Sequence, residues 1–256
     1  MKWKDLEIFQ TKLCSRAAVQ ELFYIRTYLS KGRILSGQNQ DSDYLSDNRQ
    51  NEFSRSNNSS DKGQVFDLSC GVGHKFTFQS GAISLIPLLG YSLHKQNLTI
   101  TDGNQTITWA GGPALGHFNG LNSTYDARWK GPWVGMDLLV VSDRGQKFIQ
   151  VAELIVSFEY HWADYYAEAD WNLRNDFAHP KSYEHEATGQ GLMASMAWNF
   201  KFNNKWGLML NWDYLHWSTA SGTDRIFFSN SSTAETRLNE VNWSSSAIMT
   251  GISYKF

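Results

Sequence analysis

The last ten residues of the chain, Ala247-Ile248-Met249-Thr250-Gly251-Ile252-Ser253-Tyr254-Lys255-Phe256, decide the fold. Successive side chains of a strand point to opposite faces, so a period of two separates this stretch into two sides. Its length and alternation are typical of a strand that crosses a bilayer, although the last strand of a soluble β-sandwich would also fit. One side carries Ile248, Thr250, Ile252, Tyr254 and Phe256, and the other carries Ala247, Met249, Gly251, Ser253 and Lys255.

The composition suits a membrane barrel and argues against other classes of protein. Phe, Tyr and Trp make up 14% of the 256 residues, although the mean hydropathy is only −0.44. A barrel needs only one apolar face on each strand, and it places aromatic residues where lipid meets water. No segment approaches the roughly 18 uncharged apolar residues that a spanning helix needs. The net charge of −2 argues against nucleic acid as a partner, and two cysteines are too few for a disulfide framework.

Other parts of the chain are also strand candidates, which gives about nine strands in total. Pro87 counts against one of them, because proline cannot donate a hydrogen bond to a neighbouring strand. The upstream candidates are residues 3–10, 21–35, 66–78, 83–99, 123–141, 152–162, 192–202 and 206–214.

The predicted connections alternate between short and long. Short turns follow residues 10, 79, 142 and 203, and long polar loops begin near residues 36, 102, 172 and 218. Outer-membrane barrels place long loops outside the cell and short turns in the periplasm, whereas a soluble sandwich has no reason to alternate in this way. We therefore predict an all-β, antiparallel, up-and-down transmembrane barrel that forms a single domain over residues 1–256. It is expected in a bacterial outer membrane, with its C-terminus in the periplasm and its long loops outside.

The odd number of predicted strands and the sequence of the first twenty residues both concern the N-terminal end of the barrel. Single-chain bacterial barrels have even numbers of strands, and residues 1–20 do not read as a secretory signal. We therefore expect a ten-stranded parent whose first strand and signal peptide are missing from this N-terminally truncated sequence. The terminal Phe256 resembles the insertion signal of outer-membrane barrels, which implies membrane lipid and the barrel assembly machinery as partners.

Two of the long loops contain candidates for chemistry. The stretch Asp41-Ser42-Asp43 in the loop over residues 36–64 has two carboxylates on one face of an extended backbone, where like charges raise one pKa. The stretch Asp176-Phe177-Ala178-His179 in the loop over residues 172–190 has a carboxylate near an imidazole that it would orient. Both patterns are also common in polar loops that have no catalytic role.

The order of strands and loops resembles the omptins, which are ten-stranded outer-membrane endoproteases. The resemblance rests on Gln40-Asp41-Ser42-Asp43-Tyr44 and on residues 122–138, and the Protochlamydia outer membrane protein family is more similar still. Omptins hold a water molecule between an Asp-Asp pair and an Asp-x-His pair, and Asp41 and Asp43 match the first pair. The second pair departs from the pattern, since Phe177 stands where the family has its aspartate. Asp176 is three residues from His179, so a regular strand would place the two on opposite faces unless a bulge intervened.

Two functions remain open. The favoured function is that of a non-proteolytic barrel whose surface loops act in adhesion, lipopolysaccharide contact or envelope structure. The alternative is a surface endoprotease that cleaves extracellular peptides with Asp41, Asp43, Asp176 and His179. No cofactor and no metal are expected, and dependence on lipopolysaccharide is left open.

A small-molecule pore is disfavoured, because about ten strands enclose little more than side chains. The inner charged groups are expected to form pairs with lumenal Lys or Arg that fill the barrel, rather than to relay protons. These groups are Glu153, Glu159, His161, Lys201 and Asp213.

Overall fold

The computed structural model describes residues 1–19, 23–46, 49–142 and 151–256. Apart from a 3₁₀ turn at Gln79–Gly81, the regular structure of these residues is antiparallel β-sheet. Within them, no helix has the length and apolar character needed to cross a membrane. The strands are β1 (Lys2–Val19), β2 (Phe23–Ser46), β3 (Gln50–Ser59), β4 (Gly63–His74), β5 (Phe76–Phe78), β6 (Ile83–Ile107), β7 (Gly116–Ser142), β8 (Val151–Asp170), β9 (Tyr183–Lys201), β10 (Trp206–Thr219), β11 (Gly222–Phe227), β12 (Thr233–Leu238) and β13 (Asn242–Tyr254).

The thirteen strands occupy nine positions across one sheet, in the order β1-β2-β3-β6-β7-β8-β9-β10-β13. Strands β4 and β5 continue the position of β3 alongside β6. Strand β11 continues the position of β10 alongside β9 and forms a hairpin with β12. The nine predicted strands are therefore present, although some are interrupted. Because neighbours are antiparallel throughout, β1 and β13 at the two ends of the order point in the same direction.

The polar stretches predicted as loops are largely strands, which corrects the boundaries drawn from the sequence. Strand β2 continues to Ser46 and pairs with β3, so most of residues 36–64 is hairpin. The stretch 218–235 contains most of the β11–β12 hairpin. Backbone pairing does not require apolar side chains, so these strands continue where their outer face meets water and the alternation disappears. The short turn predicted after residue 142 lies outside the described residues.

We call the end at which β2 joins β3, β6 joins β7 and β8 joins β9 the long-loop end, and the opposite end the short-turn end. Towards the short-turn end, the outer surface is a band of exposed apolar side chains. Burying such a band in lipid is favourable, and leaving it in water is not. The band includes Leu13, Phe23, Leu29, Val72, Leu89, Met136, Phe158, Leu192, Leu208, Ile248 and Ile252.

Pro87 lies on this outer face of β6, at a place where the pairing is interrupted. Beside it, the register with β4 ends at the pair Gly73–Leu88 and the register with β5 begins at Phe76–Leu85. Proline is tolerated at such breaks in a ladder, so the objection raised by the sequence does not apply.

Inside the band, charged side chains pair with one another, as predicted. Arg26 contacts Asp137 and also Glu159, the latter with Nη2 and Oε1 2.5 Å apart. The other pairs are Lys12 with Asp213, at 2.6 Å, and Glu153 with Lys201. Arg26 on β2 reaches β7 and β8, and Lys12 on β1 reaches β10, so these pairs join strands that are not neighbours in the sheet. Glu153 and Lys201 join the neighbouring strands β8 and β9.

Trp133 also fills the interior, and two glycines make room for it. A methyl group on Gly90 would overlap ring atoms Cε2 and Cζ2 of Trp133, and one on Gly71 would overlap ring atoms Cζ2 and Cη2. The indole is buried, with the Arg26 guanidinium 5.0 Å from its ring centroid. The absence of side chains at both glycines is therefore a packing requirement.

We expect Gly90→Ala to lower the free energy of unfolding by about 1–3 kcal/mol, the usual cost of overpacking a core. Urea unfolding of the refolded barrel, followed by tryptophan fluorescence, would measure the change. Gly251→Ala is the matched control, because its added methyl would meet nothing closer than Met209 Cε at 3.6 Å. Equal stabilities of the two variants would show that Trp133 is free to move.

Candidate functional site

Asp41 and Asp43 lie in the part of β2 that extends past the apolar band towards the long-loop end. They pair in register with Ser56 and Ser54 of β3, and the register shifts immediately after Asp43. Asp41 is partly buried, and this burial, together with the negative charge of Asp43, raises the pKa of the Asp41 carboxyl above its ordinary value. The predicted pair of close carboxylates is therefore present.

Asp176 and His179 lie in the connection 171–182 between β8 and β9, but they do not pair with each other. Asp176 receives two hydrogen bonds from Arg174, at 2.9 and 2.8 Å, and this hydrogen bonding lowers the pKa of the carboxyl. Nδ1 of His179 lies 2.6 Å from Oδ1 of Asp170, the last residue of β8. Asp170 is thus the carboxylate that orients His179, in the place predicted for Asp176.

Phe177, which stands where the omptin pattern has an aspartate, is buried in an aromatic cluster. It is only 5% exposed, and its ring centroid is 5.0 Å from that of Tyr183 and 5.9 Å from that of Phe228. The Arg174 guanidinium lies 4.2 Å from the Phe177 ring centroid. This position therefore holds the connection 171–182 to the β11–β12 hairpin.

The carboxylates of β2 and of the connection 171–182 influence the same neighbouring side chains. Burial raises the pKa of Tyr183 well above its ordinary value, and the negative charges of Asp224, Asp41 and Asp43 raise it further. Hydrogen bonding to Asp176 raises the pKa of Arg174, with a smaller contribution from Asp43. The charges of β2 therefore act on Arg174 of the connection 171–182 and on Tyr183 at the start of β9.

A chain of hydrogen-bonded polar side chains, most of them buried, lies near Tyr183 and was not predicted from the sequence. The Tyr125 hydroxyl is 2.6 Å from the Tyr165 hydroxyl and 2.8 Å from Nδ1 of His185. Nε2 of His185 is 3.3 Å from Asp224 of β11. This chain of contacts joins the β11–β12 hairpin to strands β7, β8 and β9 of the barrel wall. Its members come from four strands, so no spacing in the sequence would have brought them together.

Outside the wall, Lys181 is the centre of a cluster of ion pairs at the same level. It lies 2.9 Å from Glu168, contacts Glu184 and is 3.0 Å from the Tyr166 hydroxyl. Arg225 of the hairpin pairs with Glu184 at 3.0 Å. In the described parts of the chain, no group of three or more His, Cys, Asp or Glu is arranged to hold a metal ion.

A family model, the Protochlamydia outer membrane protein (Pom), matches residues 1–256. The chain belongs to this family. The Pom chain is also similar in structure to the outer membrane protease OmpT from Escherichia coli, with a TM-score of 0.67 and 13% identity over 99% of this chain and 94% of that chain. No curated protein matches it.

These comparisons confirm the predicted omptin-like, outer-membrane β-barrel fold and indicate the outer membrane as its location. At 13% identity, the likeness to OmpT concerns the fold alone. Catalytic roles for Asp41, Asp43, Asp176 and His179 in this Pom barrel therefore stay predictions.

Asp41 and Glu168 of the Pom chain are expected to contribute to the pH dependence of stability with opposite signs. The pKa of Asp41 is raised in the folded state, so its charge destabilises the fold as the pH rises through that pKa. The pKa of Glu168 is lowered, chiefly by its hydrogen bond from Tyr166 and then by Lys181, so its contribution is lost as the pH falls.

We therefore expect Asp41→Asn to raise the free energy of unfolding at pH 7, by less than about 1 kcal/mol, as for most changes near a surface. Glu168→Gln should lower it by a similar amount. Both differences from the parent should shrink as the pH falls, and that of Glu168→Gln should be the last to do so, because the pKa of Glu168 is lowered in the folded state. Urea unfolding at pH 7 and at pH 3.5 would measure them, and two shifts of the same sign would contradict the assignment.

Proposed function

We propose that the protein is an outer-membrane barrel that binds partners through the long-loop end, which faces outside the cell, and that it is not a protease. The observation that carries this proposal is the burial of Phe177 between Tyr183 and Phe228. At the position where the omptin pattern has an aspartate of the pair that holds the water molecule, this chain has Phe177, which makes a hydrophobic contact between two loops.

The same loops are well ordered by backbone hydrogen bonds, which supports a binding role. Ala178 N donates to Phe227 O at 2.9 Å, Phe227 N to Ser182 O at 2.9 Å, and Ser229 N to Asp176 O at 3.0 Å. A surface that is ordered before a partner arrives loses less conformational entropy on binding.

Basic side chains support the proposed orientation and a contact with lipopolysaccharide. Just beyond the apolar band, on the side of the long-loop end, several lysines and arginines point outward, and the anionic headgroups of the outer leaflet would neutralise them. At the opposite end, the exposed Phe256 would meet the barrel assembly machinery. The exposed basic residues are Lys31, Arg33, Lys95, Arg128 and Lys130.

Cysteine labelling in intact bacteria would test the orientation. In a background with Cys14→Ser and Cys70→Ser, a cysteine in place of Ser231 should react with a membrane-impermeant maleimide. One in place of Asn204, at the short-turn end, should react only after lysis. The reverse pattern would overturn the proposal that the long-loop end faces outside.

Adhesion would test the binding role. Bacteria that display the barrel should adhere to eukaryotic cell monolayers better than bacteria that display a variant in which a Gly-Ser turn replaces Gly222–Leu238. The matched control replaces residues 108–115, the β6–β7 connection at the same end. Equal adhesion of the parent and the hairpin variant would contradict a role for this hairpin.

The second candidate function, a surface endoprotease, is favoured by one contact. Asp170 lies 2.6 Å from His179 and gives the imidazole the orienting carboxylate that the sequence lacked. The barrel, folded in detergent with lipopolysaccharide, would be offered a library of basic peptides. We expect no cleavage. Cleavage that is lost in Asp43→Ala and His179→Ala, and reduced in Asp170→Asn, would establish the protease instead.

A further inference from the structure

A cleft lies at the long-loop end, between the connection 171–182 and the β11–β12 hairpin. Its volume is about 520 Å³, within the range of about 300–1,000 Å³ that is usual for small-molecule sites. Phe177 and His179 line one wall, and Phe228 lines the other. The backbone hydrogen bonds between the two loops hold these walls in place.

The floor of the cleft is aromatic. Phe177 is buried and supports Phe228, which is partly exposed, with the ring centroids 5.9 Å apart. Phe227 also lines the cleft. A supported, partly exposed aromatic ring offers a flat apolar surface to a rigid ligand at little cost in entropy.

The rim of the cleft is rich in hydroxyl and amide groups. The side chains of Ser229, Ser231, Thr233 and Asn175 offer both hydrogen-bond donors and acceptors. The tip of the hairpin is fixed from within, since Ser232 donates to Oδ1 of Asn230 from its hydroxyl at 2.6 Å and from its backbone N at 3.0 Å.

The lining carries little charge. His179 is the one ionisable side chain of the lining, and its Nδ1 lies 2.6 Å from Oδ1 of Asp170. Arg174 and Asp176, which flank the lining residue Asn175 in the chain, form an ion pair and neutralise each other. Such a lining has no fixed charge with which to attract a phosphate or an acidic or basic peptide. It matches a ligand with a flat C–H face and many uncharged hydroxyls.

We infer that this cleft binds a neutral saccharide, with one sugar ring stacked on Phe228 and its hydroxyls bonded to the rim. The inference rests on the proposed binding role of the loops and names the ligand class.

Saturation-transfer NMR on the whole refolded barrel would test it, in a zwitterionic detergent without a sugar headgroup. The probes are glucose, galactose, N-acetylglucosamine and their β-linked disaccharides, with glucose 6-phosphate and sialic acid as charged comparisons. We expect at least one neutral sugar to bind at millimolar concentration and the charged sugars to bind at least tenfold more weakly.

Variants would locate the binding. Phe228→Ala should weaken it at least tenfold, whereas Phe53→Ala, which removes an aromatic ring beside Trp109 on another hairpin, should not change it. Thr233→Val keeps the shape of the hairpin, removes one rim hydroxyl and should weaken binding severalfold. Absence of binding by any neutral sugar, equal binding of charged sugars, or full binding by both cleft variants would overturn the inference.

The outcomes separate this inference from the proposed function. If the hairpin is needed for adhesion but no neutral sugar binds, the saccharide inference fails and the binding role of the loops stands. If a neutral sugar binds and Phe228→Ala abolishes it while adhesion does not depend on the hairpin, the cleft is a saccharide site and the adhesive role fails.

Discussion

Arg26→Met should lower the free energy of unfolding of the barrel by about 3–5 kcal/mol, the usual cost of removing one partner of a buried ion pair. Arg26 is 7% exposed, and the two carboxylates that it contacts, Asp137 and Glu159, are 0% and 2% exposed. Without the guanidinium, both carboxylates would remain buried with no cation between them. Urea unfolding in detergent, followed by tryptophan fluorescence, would measure the loss.

Two further variants separate the burial of charge from the loss of side-chain packing. Arg237→Met, at an exposed position on β12, removes the same charge and should change stability by less than about 0.5 kcal/mol. Adding Asp137→Asn and Glu159→Gln to Arg26→Met should recover much of the loss, because no uncompensated charge then remains. A loss below about 1 kcal/mol in Arg26→Met would show that water hydrates these groups and that the interior is open.

The sequence predicted the fold well in the part of the barrel where one face of each strand meets lipid. Ile248 and Ile252 alternate with Met249 and Gly251 because only one side of β13 is lipid-facing, and the structure exposes the first pair. Past the apolar band, both faces of a strand such as residues 36–46 of β2 are polar, so period two carries no signal there. Backbone pairing continues regardless, which is why strands were mistaken for loops.

The candidate site was predicted in composition but not in its contacts. Asp41 and Asp43 are two residues apart on one strand, and regular strand geometry places side chains with that separation on the same face. Asp170 and His179 are nine residues apart across an irregular connection, and their contact depends on how that connection folds onto the β11–β12 hairpin. No local rule contains that information.

Phe177→Asp should release the connection 171–182 from the β11–β12 hairpin without creating a protease. The Phe177 side chain lies in an aromatic cluster, so the aspartate would replace a buried ring by a charge. Truncating a buried phenylalanine costs about 3–5 kcal/mol, and burying an unpaired carboxylate adds to that cost. The loop pair should therefore open while the barrel wall, whose strands pair independently of it, stays folded.

Limited proteolysis would measure the opening, with faster cleavage expected in the connection and in the hairpin tip. Leu173→Asp is the matched control, because it places the same charge on the same connection at a side chain that is already 43% exposed. Its cleavage rate should equal that of the parent. In the peptide assay, Phe177→Asp should remain inactive, because nothing directs the new carboxylate towards His179, which Asp170 already orients. Cleavage of peptides by Phe177→Asp would instead mean that this one side chain separates the chain from the proteases that share its fold.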